Sequence, residues 1–558
     1  MRFAERKSKP DEKRHPEALM NRREFLKSTT AIAATTAVSA PAVMSSASAQ
    51  ARNETLLVIR EEGPNNFDIH GVGTNRPGYE VSWNCYDRLM SHGVKKLPDG
   101  SESYDRDAFT PELAEEWTKG DMSMTFKLRK DATFHDGTPV TAKDVKWSFD
   151  RAVTVGGFPT FQMKAGSLEK PEQFVAVDDH TFRIDLIRKD KLTVPDLAVV
   201  VPGVYNSALI KKNATEKDPW GLEYTKTNTA GGGAFKVSRF QAGSEVVYER
   251  HDNWKSGKLP QIKRVIWRVV PSAGNRRALI ERGDADLSFD MPNKDFAELK
   301  QAGKLQMVSS PVGNACWYLG MNCKNPPFNN MKVRQAVAYA IPYQKIMDVV
   351  MYGVANPLYG AKSNMVSTTD WPQPHGYSVD IAKAKALMAE AGMANGFETT
   401  LSFNVGEGVI SEPLSILVQE SLAQIGIKAT INKITGANFR NELLKKELPM
   451  IINVFGGWLD YPEYFFFWCY HGQNAVFNTM SYQDKDMDAL IDGARKAAAE
   501  GDNATYEKDV KGFIDKSFVE VPRIPLFQPY LNVAMQKNVS GYRYWFHRQL
   551  DYRTLTKA

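Results

Sequence analysis

The densest group of side chains able to grip a guest molecule lies between Asn453 and Tyr470, NVFGGWLDYPEYFFFWCY. Two carboxylates, Asp460 and Glu463, stand there among Trp458, Tyr461, Phe465, Phe466 and Phe467. A carboxylate enclosed away from water forms a strong, charge-assisted hydrogen bond with any cationic group that meets it. The same residues also fit a plainer role, with Asp460-Tyr461-Pro462 as a turn and Trp458 and the phenylalanines as core. Other chemistry-bearing groups offer less. Phe134-His135-Asp136-Gly137 sets an imidazole beside a carboxylate, but neighbours in a tight turn seldom aim at one reacting atom. No Gly-x-Ser-x-Gly elbow or His-Glu-x-x-His motif occurs. Gly231-Gly232-Gly233 lacks the Lys-Ser/Thr ending of a phosphate loop and reads as a flexible turn. Cys85, Cys316, Cys323 and Cys469 match no zinc spacing and permit three pairings, or four free thiols. No catalytic residue, metal ligand set or cofactor is expected. The chemistry points to holding rather than converting.

These residues need elements to place them. IINVF, leading into the aromatic stretch, reads as a strand with the rings on the loop after it. TLLVIR near the start is strand-like, and YEVSWNCYDRLM is helix-compatible, with apolar residues three and four apart. MTFKLR alternates like a half-buried strand, and Asp136-Gly137 marks a turn. Thr141 with Asp144 forms a capping box ahead of a helix whose Val145, Phe149 and Ala152 share one face. ALIERGDADLS predicts a helix ending at Gly283 and a strand after Asp286. Asn329 or Asn330 caps a helix whose buried face carries Val333, Val337, Ala340 and Ile341.

A chain of 558 residues suggests about three domain-sized lobes. Apolar content of 42% and charged content of 24% suit a globular protein, and no eighteen-residue apolar run occurs. The net charge of +6 is concentrated at the front: residues 1–49 hold nine Lys and Arg against five Asp and Glu. The rest is nearly balanced and lacks a dense basic tract, which excludes nucleic acid as the expected partner. Asn21 to Lys27, NRREFLK, resembles a twin-arginine export motif through Arg22 and Arg23. A weakly apolar Ala/Thr run and Ala47-Ser48-Ala49 follow, so residues 1–49 are expected to be a removed signal peptide for export to the periplasm.

The segment from Pro111, PELAEEWTKGDMSMTFKLRKDATFHDGTPVTAKDVKWSFDRAV, carries a family likeness. Its Ala-Glu-x-Trp start, Phe-x-Leu-Arg strand, Phe-His-Asp-Gly turn, Thr-Ala-x-Asp-Val helix start and Ser-x-x-x-Ala end come in order over about forty residues. This set resembles the extracellular solute-binding proteins of the peptide/nickel class, the periplasmic dipeptide and oligopeptide carriers of ABC transporters. The resemblance continues through GGGAFKVSRFQAGSEVVYERHDNWKSGKLPQIKRVIWRVV, YLGMNCKNPPFNNMKVRQAVAYAI, SVDIAKAKALMAEAGMANG and VPRIPLFQPYLNVAMQKNVSGY. One departure is Pro342, where the family commonly has an acidic residue. Proline suits the first turn of a following helix, so the geometry should survive without a side-chain cap.

The resemblance implies an α/β fold of the type II periplasmic binding protein kind, with two cleft lobes, a hinge of two chain crossings, and an extra inserted lobe. The first lobe would combine 53–85, 231–312 and 526–558; the inserted lobe would be 86–230 and the second cleft lobe 313–525. In peptide-binding relatives, Gly-Trp precedes an acid that pairs with the ligand α-ammonium. The matching residues here are Gly457, Trp458 and Asp460, with Tyr461 continuing the pattern. One residue separates Trp458 from Asp460 where many members have two, which leaves Glu463 as the alternative acid. Trp83, Tyr86 and Tyr318 are further candidates for ligand contact, and Arg440 for a ligand carboxylate. The implied function is a monomeric, non-enzymatic carrier that delivers a di- or oligopeptide, or related amino-containing solute, to an inner-membrane ABC permease. The alternative is the same carrier for a nickel chelate, opine or sugar.

Overall fold

A computed structural model describes residues 52–313, 315–358, 377–474 and 477–558. The export segment expected over residues 1–49 lies outside the described residues. TLLVIR forms β1 (Thr55–Arg60), the parallel neighbour of Arg264–Val269 on one side and Leu287–Ser288 on the other. Helix α1 (Arg76–Cys85) follows, with Pro77 in its first turn and the Asn75 side chain accepting from the Gly78 amide. The segment 86–230 then builds its own four-stranded antiparallel sheet and a cluster of helices, among them α2 (Gly157–Ala165) and α3 (Thr193–Leu197).

The chain next completes a mixed sheet that unites both ends of the molecule. Strands β2 (Ala315–Met321) and β3 (Met450–Gly456) pair antiparallel, and Phe397–Asn404 and Ile427–Ile434 extend the sheet in parallel beyond β3. A helix, α4 (Pro462–Cys469), follows β3, and the chain returns as the thirteen-residue β4 (Arg523–Met535). Every residue of β4 is buried. Its unbroken apolar pattern, RIPLFQPYLNVAM, is that of a strand covered on both faces. The first part of β4 pairs with β2, and its last part pairs with Gln306–Pro311 and Leu287–Ser288. One strand therefore belongs to both halves of the sheet. The chain passes between halves twice, near Pro311–Ala315 and near Phe527–Tyr530. Pro525 and Pro529 stand close to that seam, where a missing N–H interrupts the ladder least harmfully.

Local readings from the sequence reappear in this frame. Asp144 accepts the Thr141 amide at 3.0 Å at the start of Ala142–Thr154, and Val145, Phe149 and Ala152 are fully buried. Gly283 ends Ala273–Arg282 at φ +80°, and Asn330 caps Met331–Ala340 through the Lys332 amide at 2.9 Å. Pro342 sits at the N-cap of Tyr343–Val349, and no side chain caps that helix. Three readings change. YEVSWNCYDRLM is helical only as far as Cys85, and Met90 opens a strand. The rings after IINVF are not on a loop: Pro462, whose φ suits a first helical turn, starts α4 and takes most of them into a helix. Gly231-Gly232-Gly233 is not a flexible turn but a buried packing site, where a Cβ on Gly233 would lie 2.6 Å from the Cys85 carbonyl carbon. The four cysteines are unpaired thiols, three of them buried.

A buried ion pair ties segment 86–230 to the loop after β1. Arg151 Nη2 donates to Asp68 Oδ2 at 2.5 Å, and Tyr205 and Thr225 hydroxyls donate to the same carboxylate. Arg151 also meets His70 Nδ1 at 3.0 Å. Burial, then the Arg151 charge, pushes the His70 imidazole down to about 4. Burial likewise pushes His135 down to about 4 and His92 to about 3. These groups fold neutral but bind protons in the unfolded chain below about pH 6.5, so their contribution to stability falls as pH drops from there through the folded values. Each contributes a slope of at most ~1.4 kcal/mol per pH unit in that window. We expect the urea midpoint of the wild type to fall more steeply between pH 7 and 5 than that of His135→Gln. Parallel curves for the two proteins would contradict the assignment.

Candidate functional site

Strand β3 ends beside the start of β2, with Gly456 opposite Ala315, and so delivers Gly457-Trp458-Leu459-Asp460 to the seam between the sheet halves. Gly457 is there because nothing larger fits: a Cβ would lie 2.6 Å from Tyr464 Cε1 and 3.3 Å from Phe455 Cε1. The glycine lets the α4 tyrosine ring close over the turn, and the Trp458 amide donates to the Tyr464 hydroxyl at 3.4 Å. Trp458 itself is only 3% exposed. Its ring centroid lies 3.8 Å from that of His547, 5.3 Å from Tyr79, 5.5 Å from Phe158 and 5.9 Å from Phe546. Tyr79 comes from α1, Phe158 from α2 and the other two from the C-terminal segment. Such ring pairs each contribute about 0.5–1.5 kcal/mol beyond their buried area. His547 reaches its place with a left-handed backbone, φ +56°.

Asp460 is half-buried and surrounded by cationic neighbours. Arg106 Nη1 donates to its backbone carbonyl at 2.6 Å. A recess of about 10 Å³, about the space one water centre needs, is lined by Asp460 with Lys95, Ser103, Tyr104, Arg106, Pro311 and Gly313. Burial and then the Asp460 charge raise the Tyr104 phenol well above its ordinary range. Tyr461 donates to the Arg106 carbonyl at 3.0 Å, and its ring lies under Arg106 and Lys191 at 5.2 and 4.8 Å. Glu463 is taken up by the protein: its Oε2 accepts from Tyr506 at 2.8 Å, and Lys191 Nζ lies 3.5 Å from Oε1.

The remaining candidates lie elsewhere. Trp83 is core, stacked between Arg88 at 3.9 Å and the rings of Trp545 and Phe546. It reaches the Trp458 cluster only through Phe546. The Tyr86 hydroxyl accepts from the Ala230 amide at 3.1 Å, and its ring packs on Tyr205. Tyr318 accepts from Asn453 at 3.1 Å, meets Thr479 at 3.2 Å and lies under the Arg523 guanidinium. Arg440 is exposed on Gly436–Lys445, and its charge is felt at the Tyr79 phenol. His135 bonds the Gly233 carbonyl at 3.0 Å, and Asp136 accepts from the Thr138 amide and Asn206, so this pair holds a turn. Among the described residues, no group of three His, Cys, Asp or Glu is placed to hold a metal ion.

The structure therefore gathers Gly457, Trp458, Asp460 and Tyr461, and sets Tyr86 and Tyr318 apart from them. Sequence reasoning missed Tyr79, Phe158, His547, Arg106 and Lys191. No local signal marks them, because each is brought in from a distant segment. Gly457→Ala should destabilise the protein by about 1–3 kcal/mol through overpacking against Tyr464. Thermal or urea unfolding checks this, and wild-type stability in the variant would show that the ring is free to withdraw.

Comparison with known proteins identifies the family and the fold. Residues 108–477 match the profile of bacterial extracellular solute-binding proteins, family 5 (middle region). The chain is 26% identical over 497 residues to the probable D,D-dipeptide-binding periplasmic protein DdpA of Escherichia coli K12, covering 88% of this chain and 91% of DdpA. It is 28% identical over 552 residues to heme-binding protein A of Haemophilus influenzae, covering 93% and 95%. The fold matches that of the periplasmic binding protein DppA from Helicobacter pylori, solved in complex with the peptide STSA. The TM-score there is 0.76 at 20% identity, covering 92% of this chain and all of that one. The architecture is thus that of a type II periplasmic binding protein, as the sequence implied, and the chain belongs to the bacterial extracellular solute-binding proteins of family 5.

Proposed function

We propose that this protein is the periplasmic solute-binding component of an ABC importer, capturing a di- or oligopeptide or a related amino-containing solute and handing it unaltered to an inner-membrane permease. The observation that carries the reading is the Gly457-Trp458-Leu459-Asp460 turn, set in a family 5 chain where β3, α1, α2 and the C-terminal segment converge. A relative named for D,D-dipeptides and a structural neighbour solved with the peptide STSA support it. No helix among the described residues is long and apolar enough to cross a membrane. An exported carrier also fits the twin-arginine-like start and a removed segment 1–49.

In this reading the lobes are 53–85 with 231–312 and 526–558, the inserted 86–230, and 313–525. They move about the seam where β4 changes partners. Asp460 anchors the solute ammonium, and Trp458 with Tyr461 flanks it. Arg106, bonded to the Asp460 carbonyl, and Lys95 line the recess at Asp460, so the ammonium reaches it when the Met90–Lys96/Glu102–Pro111 hairpin that bears them withdraws. The solute then takes the place of a protein cation, and the carboxylate is never left buried without positive charge.

A solute bound only by the folded state raises the melting temperature by mass action, by about 2.7 kcal/mol of added stability at a hundredfold excess over Kd. Screening the mature protein against peptides, metal chelates, heme and sugars should show stabilisation by at least one compound with a free α-amine. Asp460→Ala should weaken that binding by about 2–5 kcal/mol. Equal stabilisation by the N-acetylated compound, or by amine-free solutes alone, would contradict the anchor. Steady conversion of a compound to product would contradict the carrier.

A further inference from the structure

Behind the Gly457-Trp458 turn, buried polar groups form a line that aromatic packing does not explain. The Trp458 amide donates to the Tyr464 hydroxyl at 3.4 Å, and that hydroxyl donates to Gln162 Oε1 at 2.8 Å. Gln162 Nε2 in turn donates to Asp196 Oδ1 at 2.6 Å. All three bonds run in one direction, so each donor polarises the next. They cross from β3–α4 to α2 and α3, which come from the segment 86–230. Gln162 is 2% exposed and Asp196 fully buried.

We propose that Gln162 is a positioning residue for Trp458: its carboxamide, oriented by Asp196, fixes Tyr464 and thereby the backbone of the turn. The functional meaning rests on the reading of this turn as the solute-contacting one. A primary amide suits the place because it accepts from a phenol on one side and donates to a carboxyl on the other. Glutamate would have no N–H for Asp196, and leucine would serve neither.

Asp196 is an unusual end for such a line. It makes no ion pair among the described residues, and apart from Gln162 only the Gly166 amide bears on its carboxyl as a donor. The charged and titratable groups around it do not compensate it. Asp190 adds like charge, itself met by Arg495 at 3.4 Å and the Ser167 hydroxyl. From α4 comes only the Tyr464 phenol, and from α2 only the Gln162 amide. The strand Met90–Lys96, which also packs on α3, turns His92 toward Tyr104, Phe109 and Phe546 and leaves Lys95 and Lys96 exposed. Burial accordingly pushes the Asp196 carboxyl up to about 8. With a folded value above the unfolded one, the stability from this group is full below about pH 4 and is lost as pH rises through 8. Ionisation places an uncompensated charge at the foot of the line, and the disturbance reaches Trp458 through Gln162.

The test needs no solute. In protein labelled with ¹⁵N-tryptophan, the Trp458 amide resonance, assigned from its loss in Trp458→Phe, is followed from pH 6 to 9.5. We expect it to titrate near pH 8 in the wild type and to stay fixed in Asp196→Asn, which keeps the acceptor oxygen but cannot ionise. Gln162→Leu should also abolish the titration, although Asp196 remains. Should one variant not fold, the other suffices. A Trp458 amide that does not move in the wild type, or that titrates unchanged in either folded variant, overturns the proposal. If the titration appears while no free-amine compound binds, the line of bonds stands and only the solute reading fails.

Discussion

Trp458 can lose its contact with water only if rings from distant parts of the chain arrive at one place. Tyr79, Phe158 and His547 lie respectively 379, 300 and 89 positions away in sequence, yet their ring centroids stand within 5.5 Å of the indole's. No single one of those segments encloses the indole alone. Enclosure of Trp458 is therefore equivalent to the mutual closure of the parts that carry these rings. In the proposed carrier reading, that would make the energy of shutting the cleft depend on contacts at the proposed solute site.

Electrostatics sharpen the same point. A half-buried Asp460 is tolerated because Arg106 and Lys95 lie at its recess. Glu463 is held by Tyr506 and Lys191, and Asp190 by Arg495. Apart from the Tyr506–Glu463 bond, these contacts link segment 86–230 to the part of the chain that follows β2. The sheet is continuous through β4, whose partners change near Phe527–Tyr530, where the short strand Ala355–Pro357 also pairs with it. If the lobes open and close as proposed, charged contacts exchanged one for another would cost less than charges left bare in a low-dielectric interior.

Much of this was legible from local chemistry. TLLVIR, the Thr141–Asp144 capping box, the Gly283 terminator and the Asn330 cap each specify their element through contacts within a few residues, and each appears as read. The ordered motifs from Pro111 were enough to indicate the family, and hence the architecture. The failures have a common cause. PEYFFFWC was read as the loop after the IINVF strand, but a proline in the first turn and burial on nearly all sides make it a helix. The glycine triplet was read as flexible because turns favour glycine. It exists instead to let Cys85 and Tyr86 approach. Gln162, Asp196, Phe158 and His547 carry no signature at all, since their roles depend on partners that the fold alone brings near.

The most direct test of a closing, non-converting carrier is a crystal structure grown with a solute that stabilises the protein. The account predicts the intact solute against the Trp458 ring, with its ammonium at hydrogen-bond distance from Asp460 and the Arg106 guanidinium displaced. Density for the solute elsewhere, with the Trp458, Tyr79, Phe158 and His547 rings and the Arg106 contact unchanged, would contradict it.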